Sequence, residues 1–167
     1  ARLKASAAST MLGAKDTDAR TAMNAAYIAE SLCWAGPDRS WALSDRGRAF
    51  AASASRYVDD LFSSVKIAAQ DVTLSNRTGQ VPVSIVNGTG KPIKLTLSAT
   101  AGLIAVQEKP RTISLDAGEN VVTIPIDMGS QLADTMNIRL IAGDVTVAES
   151  TVGVHASYLD RLATLPR

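Results

Sequence analysis

Along this chain the spacing of apolar residues changes character once. From Ala1 to about Val65 it is helical; from Val72 onward it alternates in short runs, and the change falls between Ile67 and Asp71. A first helical run carries Leu3, Ala7, Thr10 and Met11 on one side and stops at Gly13, a residue that takes the left-handed conformation of a helix C-terminus without strain. A second, capped by Asp16 or Thr17, lines up Ala19, Ala22, Ala26, Ala29 and Cys33 as a narrow stripe of small residues flanked by Met23, Tyr27 and Leu32; Gly36-Pro37-Asp38 breaks it. A third starts at or just before Ser44. Its Leu43, Gly47, Phe50, Ala54, Tyr57, Val58, Leu61, Phe62 and Val65 recur at i, i+3, i+4 and i+7. Helices this rich in alanine bury little apolar area at ~25 cal/mol per Å², so they are expected to pack on another body rather than fold alone. Unpartnered, the face from Leu43 to Val65 is expected to form an exposed patch or a dimer contact.

The second half reads as strands. Val72–Leu74 ends at Asn76-Arg-Thr-Gly79, Val81–Val86 ends at Asn87-Gly-Thr-Gly90, and Ile93–Leu97 follows Pro92. Leu103–Val106, Arg111–Leu115, Val121–Ile126, Met136–Ile141 and Val145–Val154 continue the series, punctuated by Asp116-Ala-Gly118, Gly129 and Gly143-Asp144. Seven or eight short strands with no helix between them predict an antiparallel, immunoglobulin-like β-sandwich preceded by a collar of two or three helices. Val81, Val83, Ile85, Leu95, Leu97, Ile124, Ile126, Ile138 and Leu140 are its predicted inward positions. The division is a helical segment over 1–68, a sandwich over 69–157 and a tail over 158–167. In the tail, Leu159, Leu162 and Leu165 suit packing back on the sandwich or a continuation such as a membrane anchor.

The run Asp71-Val-Thr-Leu-Ser-Asn-Arg-Thr-Gly-Gln-Val-Pro-Val-Ser-Ile-Val-Asn87, followed by Gly-Thr-Gly-Lys-Pro-Ile-Lys-Leu-Thr-Leu97, resembles the opening strands of the C-terminal immunoglobulin-like region of a family of uncharacterised actinobacterial envelope proteins. The resemblance covers about residues 40–155. It implies a helical stretch before the first strand and an upstream barrel resembling polysaccharide deacetylases or glycoside hydrolases. It also implies an extracytoplasmic, wall-facing location, with a membrane anchor following the sandwich in many members. No catalytic residue is carried over by it.

Charge narrows the partners. Lysine and arginine number 17 against 16 aspartates and glutamates, and the basic cluster Arg46 and Arg48 sits beside Asp45, so no phosphate groove is expected and nucleic acid is excluded as a partner. A single cysteine, Cys33, rules out an intrachain disulfide and a multi-cysteine metal site. The chain opens Ala-Arg-Leu-Lys and has neither a signal-type apolar core nor an apolar run of ~18 residues, so any targeting or anchoring segment is expected outside it.

The candidate chemistry is sparse. The only histidine, His155, closes the last predicted strand as an exposed rim residue, and Cys33 reads as a small buried apolar group. Asp59 and Asp60 point about 100° apart on a helix, while Asp116, Glu119, Asp127, Asp134 and Asp144 are scattered over turns, so neither a glycosidase-type carboxylate pair nor a calcium loop is formed. No Trp, Tyr or Phe occurs between Ile67 and His155, which removes the aromatic platforms on which sugar rings stack. Trp34 and Trp41 bracket the Gly-Pro turn and read as packing wedges. With Asn87 and Asp144 they are the candidate ligand or interface contacts. Asn76-Arg-Thr78 and Asn87-Gly-Thr89 match a glycosylation pattern and read as surface turns. No cofactor, catalytic residue or metal ligand is assigned. The expected function is a non-catalytic accessory domain that orients an upstream domain of the same protein. The alternative is a module binding a cell-envelope polysaccharide or protein.

Overall fold

The computed structural model describes residues 2–31 and 41–157, with only the backbone of 41–44 and 46. Cys33, Trp34, the Gly36-Pro37-Asp38 break and the tail 158–167 therefore lie outside the described residues. Within them the chain forms α1 (Arg2–Leu12), α2 (Thr17–Ala29) and α3 (Trp41–Ser63). Nine strands follow: β1 (Val65–Ala68), β2 (Val72–Leu74), β3 (Thr78–Asn87), β4 (Ile93–Ala101), β5 (Ala105–Val106), β6 (Arg111–Leu115), β7 (Gly118–Asp127), β8 (Ala133–Ala142) and β9 (Val145–Ala156).

The strands build a two-layer immunoglobulin-like sandwich. One sheet has the order β1-β3-β7-β5 and the other β2-β9-β8-β4-β6. Alternation along the strands sends one set of side chains between the sheets, and all nine predicted inward residues, Val81 to Leu140, are buried there with Met128, Met136, Val152 and Val154. Every pair is antiparallel except β2 with β9, which is parallel, Val72 lying opposite Val154 and Leu74 opposite Ala156. The predicted all-antiparallel wiring fails at this pair. The chain leaves the first sheet after Ala68, crosses over residues 69–71 and enters the second beside its last strand.

The helical region departs from its prediction in phase and at both ends of α3. That helix starts at Trp41, and it stops at Ser63, where Ser63 Oγ and Ser64 Oγ donate to the carbonyls of Asp60 and Leu61 at 2.8 and 2.6 Å. Val65 and Ile67 do not extend the helix but open β1, which suits their β-branched side chains. In α1 the buried residues are Ala5, Ala7, Ala8 and Met11, whereas Leu3 is 60% exposed. On α2 the alanine stripe is buried as predicted at Ala19, Ala22 and Ala26.

The helices do not form a separate core. Ala5, Ala8, Met11, Ala22, Val58 and Phe62 belong to one continuous buried cluster with the sandwich residues. α1 lies against β4, β8 and β9, and α3 against β1 and β9. The lower part of the face predicted to be an open patch, Ala54, Val58 and Phe62, is thereby covered, while Phe50 and Tyr57 keep 37% and 39% of their surface. No helix among the described residues is long and apolar enough to cross a membrane.

Candidate functional site

Two polar constellations stand out, one between the helices and the sandwich and one on the sandwich surface. The first is centred on Lys91, in the turn between β3 and β4. Its Nζ donates to Asp16 Oδ2 at 2.9 Å and to Asp18 Oδ2 at 2.6 Å. Asp16 is also the N-cap of α2, its Oδ1 accepting from the backbone N–H of Asp18 and Ala19 at 2.8 and 3.3 Å. The hydrogen bonds from Lys91 hold both carboxyls below their ordinary value of 3.8, and the two carboxylates in turn raise the Lys91 ammonium above 10.5. Partial burial, followed by its hydrogen bond to Asp18, pushes the Tyr57 hydroxyl of α3 above 10.0. One ammonium thus ties the start of α2 to a loop of the sandwich, and Tyr57 joins α3 to it through Asp18.

The second is a shallow, open depression of about 520 Å³ on the second sheet, lined by Asp71, Ala133, Asp134, Thr135, Thr151, Gly153 and His155. Asp71, at the end of the crossover, accepts the Gly153 N–H at 2.8 Å. A Cβ on residue 153 would stand 2.8 Å from Asp71 Oδ1 and 2.9 Å from its Cγ, so glycine is what lets the carboxylate reach the strand. Asp134 accepts from the N–H of Leu103 and Ile104 at 2.6 and 2.9 Å and from Thr135 N–H at 2.8 Å. Desolvation opposes its ionisation, yet these backbone donors outweigh it and keep the carboxyl below 3.8. His155 is exposed, as its position after buried Val154 predicts.

The residues singled out in the sequence are not gathered at either place. Trp34 lies outside the described residues, and Trp41 is the first residue of α3, its side chain likewise outside them. Asp144 is exposed in the two-residue turn between β8 and β9. Asn87 is corrected: it is 1% exposed, and its amide is used up inside the fold. Its Nδ2 faces the carbonyls of Lys91, Leu115 and Asp116 at 2.8, 3.2 and 3.0 Å, and its Oδ1 accepts from Thr89 N–H and Oγ1 at 3.1 and 2.7 Å. No ligand or glycan reaches a side chain so placed. Asp59 and Asp60 are both exposed, Asp59 accepting from Lys4 of α1 at 2.6 Å. Lys91 and Asp71 escaped the sequence reading, because each acts on a group more than 70 residues away and no local pattern marks such a contact.

The chemistry these groups can perform is positional. The resolved carboxyl shifts, at Asp16, Asp18, Asp127, Asp134 and Glu149, are all downward, the direction of acceptors in hydrogen bonds and ion pairs rather than of a general acid held protonated near neutrality. Among the described residues no group of three or more His, Cys, Asp or Glu is placed to hold a metal ion.

No protein-family model matches the chain, and no curated protein matches it. Similar solved structures include native α2-macroglobulin of Escherichia coli from domain MG7 to the C-terminus, at 20% identity over 56% of this chain with a TM-score of 0.38. The chain spans only 16% of that structure. Others are WR4, an MSP family member of Caenorhabditis elegans, at 13% identity over 56% of this chain and 98% of its own with a TM-score of 0.38, and a FixG-related protein of Vibrio parahaemolyticus, at 13% identity over 56% and 94% with the same score.

Proposed function

We propose that this chain is a non-catalytic, immunoglobulin-like accessory unit of a larger exported cell-envelope protein, in which the helical collar fixes the sandwich relative to a domain upstream. The observation that carries the reading is the shared core: Met11, Val58 and Phe62 of the helices are buried with strand residues, and Lys91 bridges the same junction. A collar joined in this way transmits orientation, whereas a flexible linker would not. The likeness of Asp71–Asn87 to the envelope family supports the location and the upstream barrel, and the downward carboxyl shifts support a role without acid-base chemistry. The rival, a polysaccharide-binding module, would use the depression between Asp71 and His155.

Co-sedimentation of the purified protein with insoluble peptidoglycan and a panel of envelope glycans, against an unrelated sandwich as control, separates the two. The accessory role predicts no saturable binding above the control. Saturable binding that disappears in His155→Ala or Thr151→Ala would replace it with the binding-module reading.

A further inference from the structure

The first sheet ends in an open edge. β5 pairs with β7 only through Ala105 with Asp127 and Val106 with Ile126. Beyond the Gln107 N–H bond to the Pro125 carbonyl at 3.0 Å, no strand among the described residues lies against the rest of β7 on that side. Two prolines establish which groups face it. In an antiparallel strand the N–H and C=O of one residue point to the same side, and successive residues alternate. Since Pro125 points its carbonyl toward β5, Thr123, Val121 and Glu119 face the same way, and Ile124, Val122 and Asn120 face β3. The opposite ladder agrees. Pro82 stands across from Thr123 and has no N–H to give, so that pair is a non-hydrogen-bonded one and Thr123 bonds outward.

Glu119, Val121 and Thr123 therefore offer backbone donors and acceptors to solvent beside exposed side chains, Val121 being 66% exposed. The other edges carry the usual guards. β1 has four residues and includes Lys66, β2 has three, and β6 starts at Arg111 behind Pro110. From Gly118 to Ile124 there is no Pro, Lys, Arg or register shift, and the one charge, Glu119, already accepts from Ser84 Oγ at 2.7 Å.

We propose that this edge pairs with the same edge of a second copy of the chain, giving a two-fold dimer joined through antiparallel β7 strands. Self-complementarity selects a second copy as the occupant. About an axis at Asn120, Glu119 meets the second copy's Val121 and Val121 meets its Glu119, each pair exchanging both N–H and C=O groups. No carboxylate then faces a carboxylate, and the net charge of +1 per chain opposes association little. This register also stays clear of Gln107, which fills the place opposite Pro125. The proposal does not depend on the accessory reading.

The test is sedimentation velocity of the full chain over a concentration series, with amide exchange followed by NMR. The expected result is a weight-average mass that doubles with concentration, together with slowed exchange at Glu119 and Val121 while Asn120 and Val122 stay protected throughout. Val121→Pro removes an outward N–H and no bond to β3, so it should leave the fold intact and the mass that of one chain. Should that variant not fold, Val121→Glu keeps every backbone bond and sets a carboxylate directly opposite the second copy's Glu119 on both sides of the axis, with the same expected loss. A monomer with fast exchange at these amides, a monomer in which they are already protected, or a dimer that neither variant weakens would each overturn the proposal.

Discussion

Asn87 is a buried cross-tie between the β3–β4 turn and the β6–β7 turn, facing carbonyls of both through one amide. Replacing it with alanine leaves several buried backbone groups without partners, each costing about 1–3 kcal/mol, so Asn87→Ala should lower stability by roughly 2–4 kcal/mol in urea unfolding. Asn87→Asp should be worse, since a carboxylate cannot donate and would face the same carbonyls. Thr89→Ala, which leaves the amide bonds to the carbonyls in place, should cost less than either. The sequence led the other way here for a physical reason. Asn-Gly-Thr-Gly is a turn signature, and turns are usually exposed, but the alternation that buries Val81, Val83 and Ile85 carries on one step further to residue 87.

At the scale of elements, the joint between α2 and the sandwich should depend on pH in a way that follows from its charges. Asp16 and Asp18 titrate below their ordinary 3.8 in the fold, so their contribution is complete above that value and is lost as pH falls through the lower folded pKa. Lys91 titrates above its ordinary 10.5, so its contribution is complete below that value and is lost as pH rises through the higher one. Lys91→Met should therefore destabilise the protein between about pH 4 and pH 10, by an amount that shrinks on acidification below pH 3.8. Urea unfolding of both proteins across pH checks this, and α2 amides should exchange faster in the variant. Strand identity was legible because alternation is a local signal; strand direction was not. Three residues, Val72 to Leu74, carry no mark of running parallel to a strand more than 70 positions later. Val65 was hidden because it also continues the helical spacing of Phe62 and Val58, and the helix ends at residues that no periodicity shows, Ser63 and Ser64. Leu3 was misplaced because an alanine-rich helix has a weak moment, and small alanines rather than the larger leucine turn inward where backbones approach closely.

For the whole molecule, one shared core implies one cooperative unit. Phe62, on the last turn of α3, is 6% exposed and packs in the same cluster as the strands. Phe62→Ala should cost about 3–5 kcal/mol, and the helical and tertiary signals should still melt together. A helical signal lost at a lower temperature than the tertiary one would mean that the collar is a separate unit. The parallel pair of β2 and β9 has a mechanical consequence. The chain enters β2 at Val72 and leaves β9 at Ala156, so tension applied at the two ends pulls these neighbouring strands in opposite directions along their length. Their ladder is loaded in shear, and its hydrogen bonds must yield together instead of opening one by one. Single-molecule pulling from handles at Asp71 and Ser157 should therefore meet higher rupture forces than pulling from Ala133 and Ser157, at the open end of the β8–β9 hairpin, where β9 would peel from β8 like a zip.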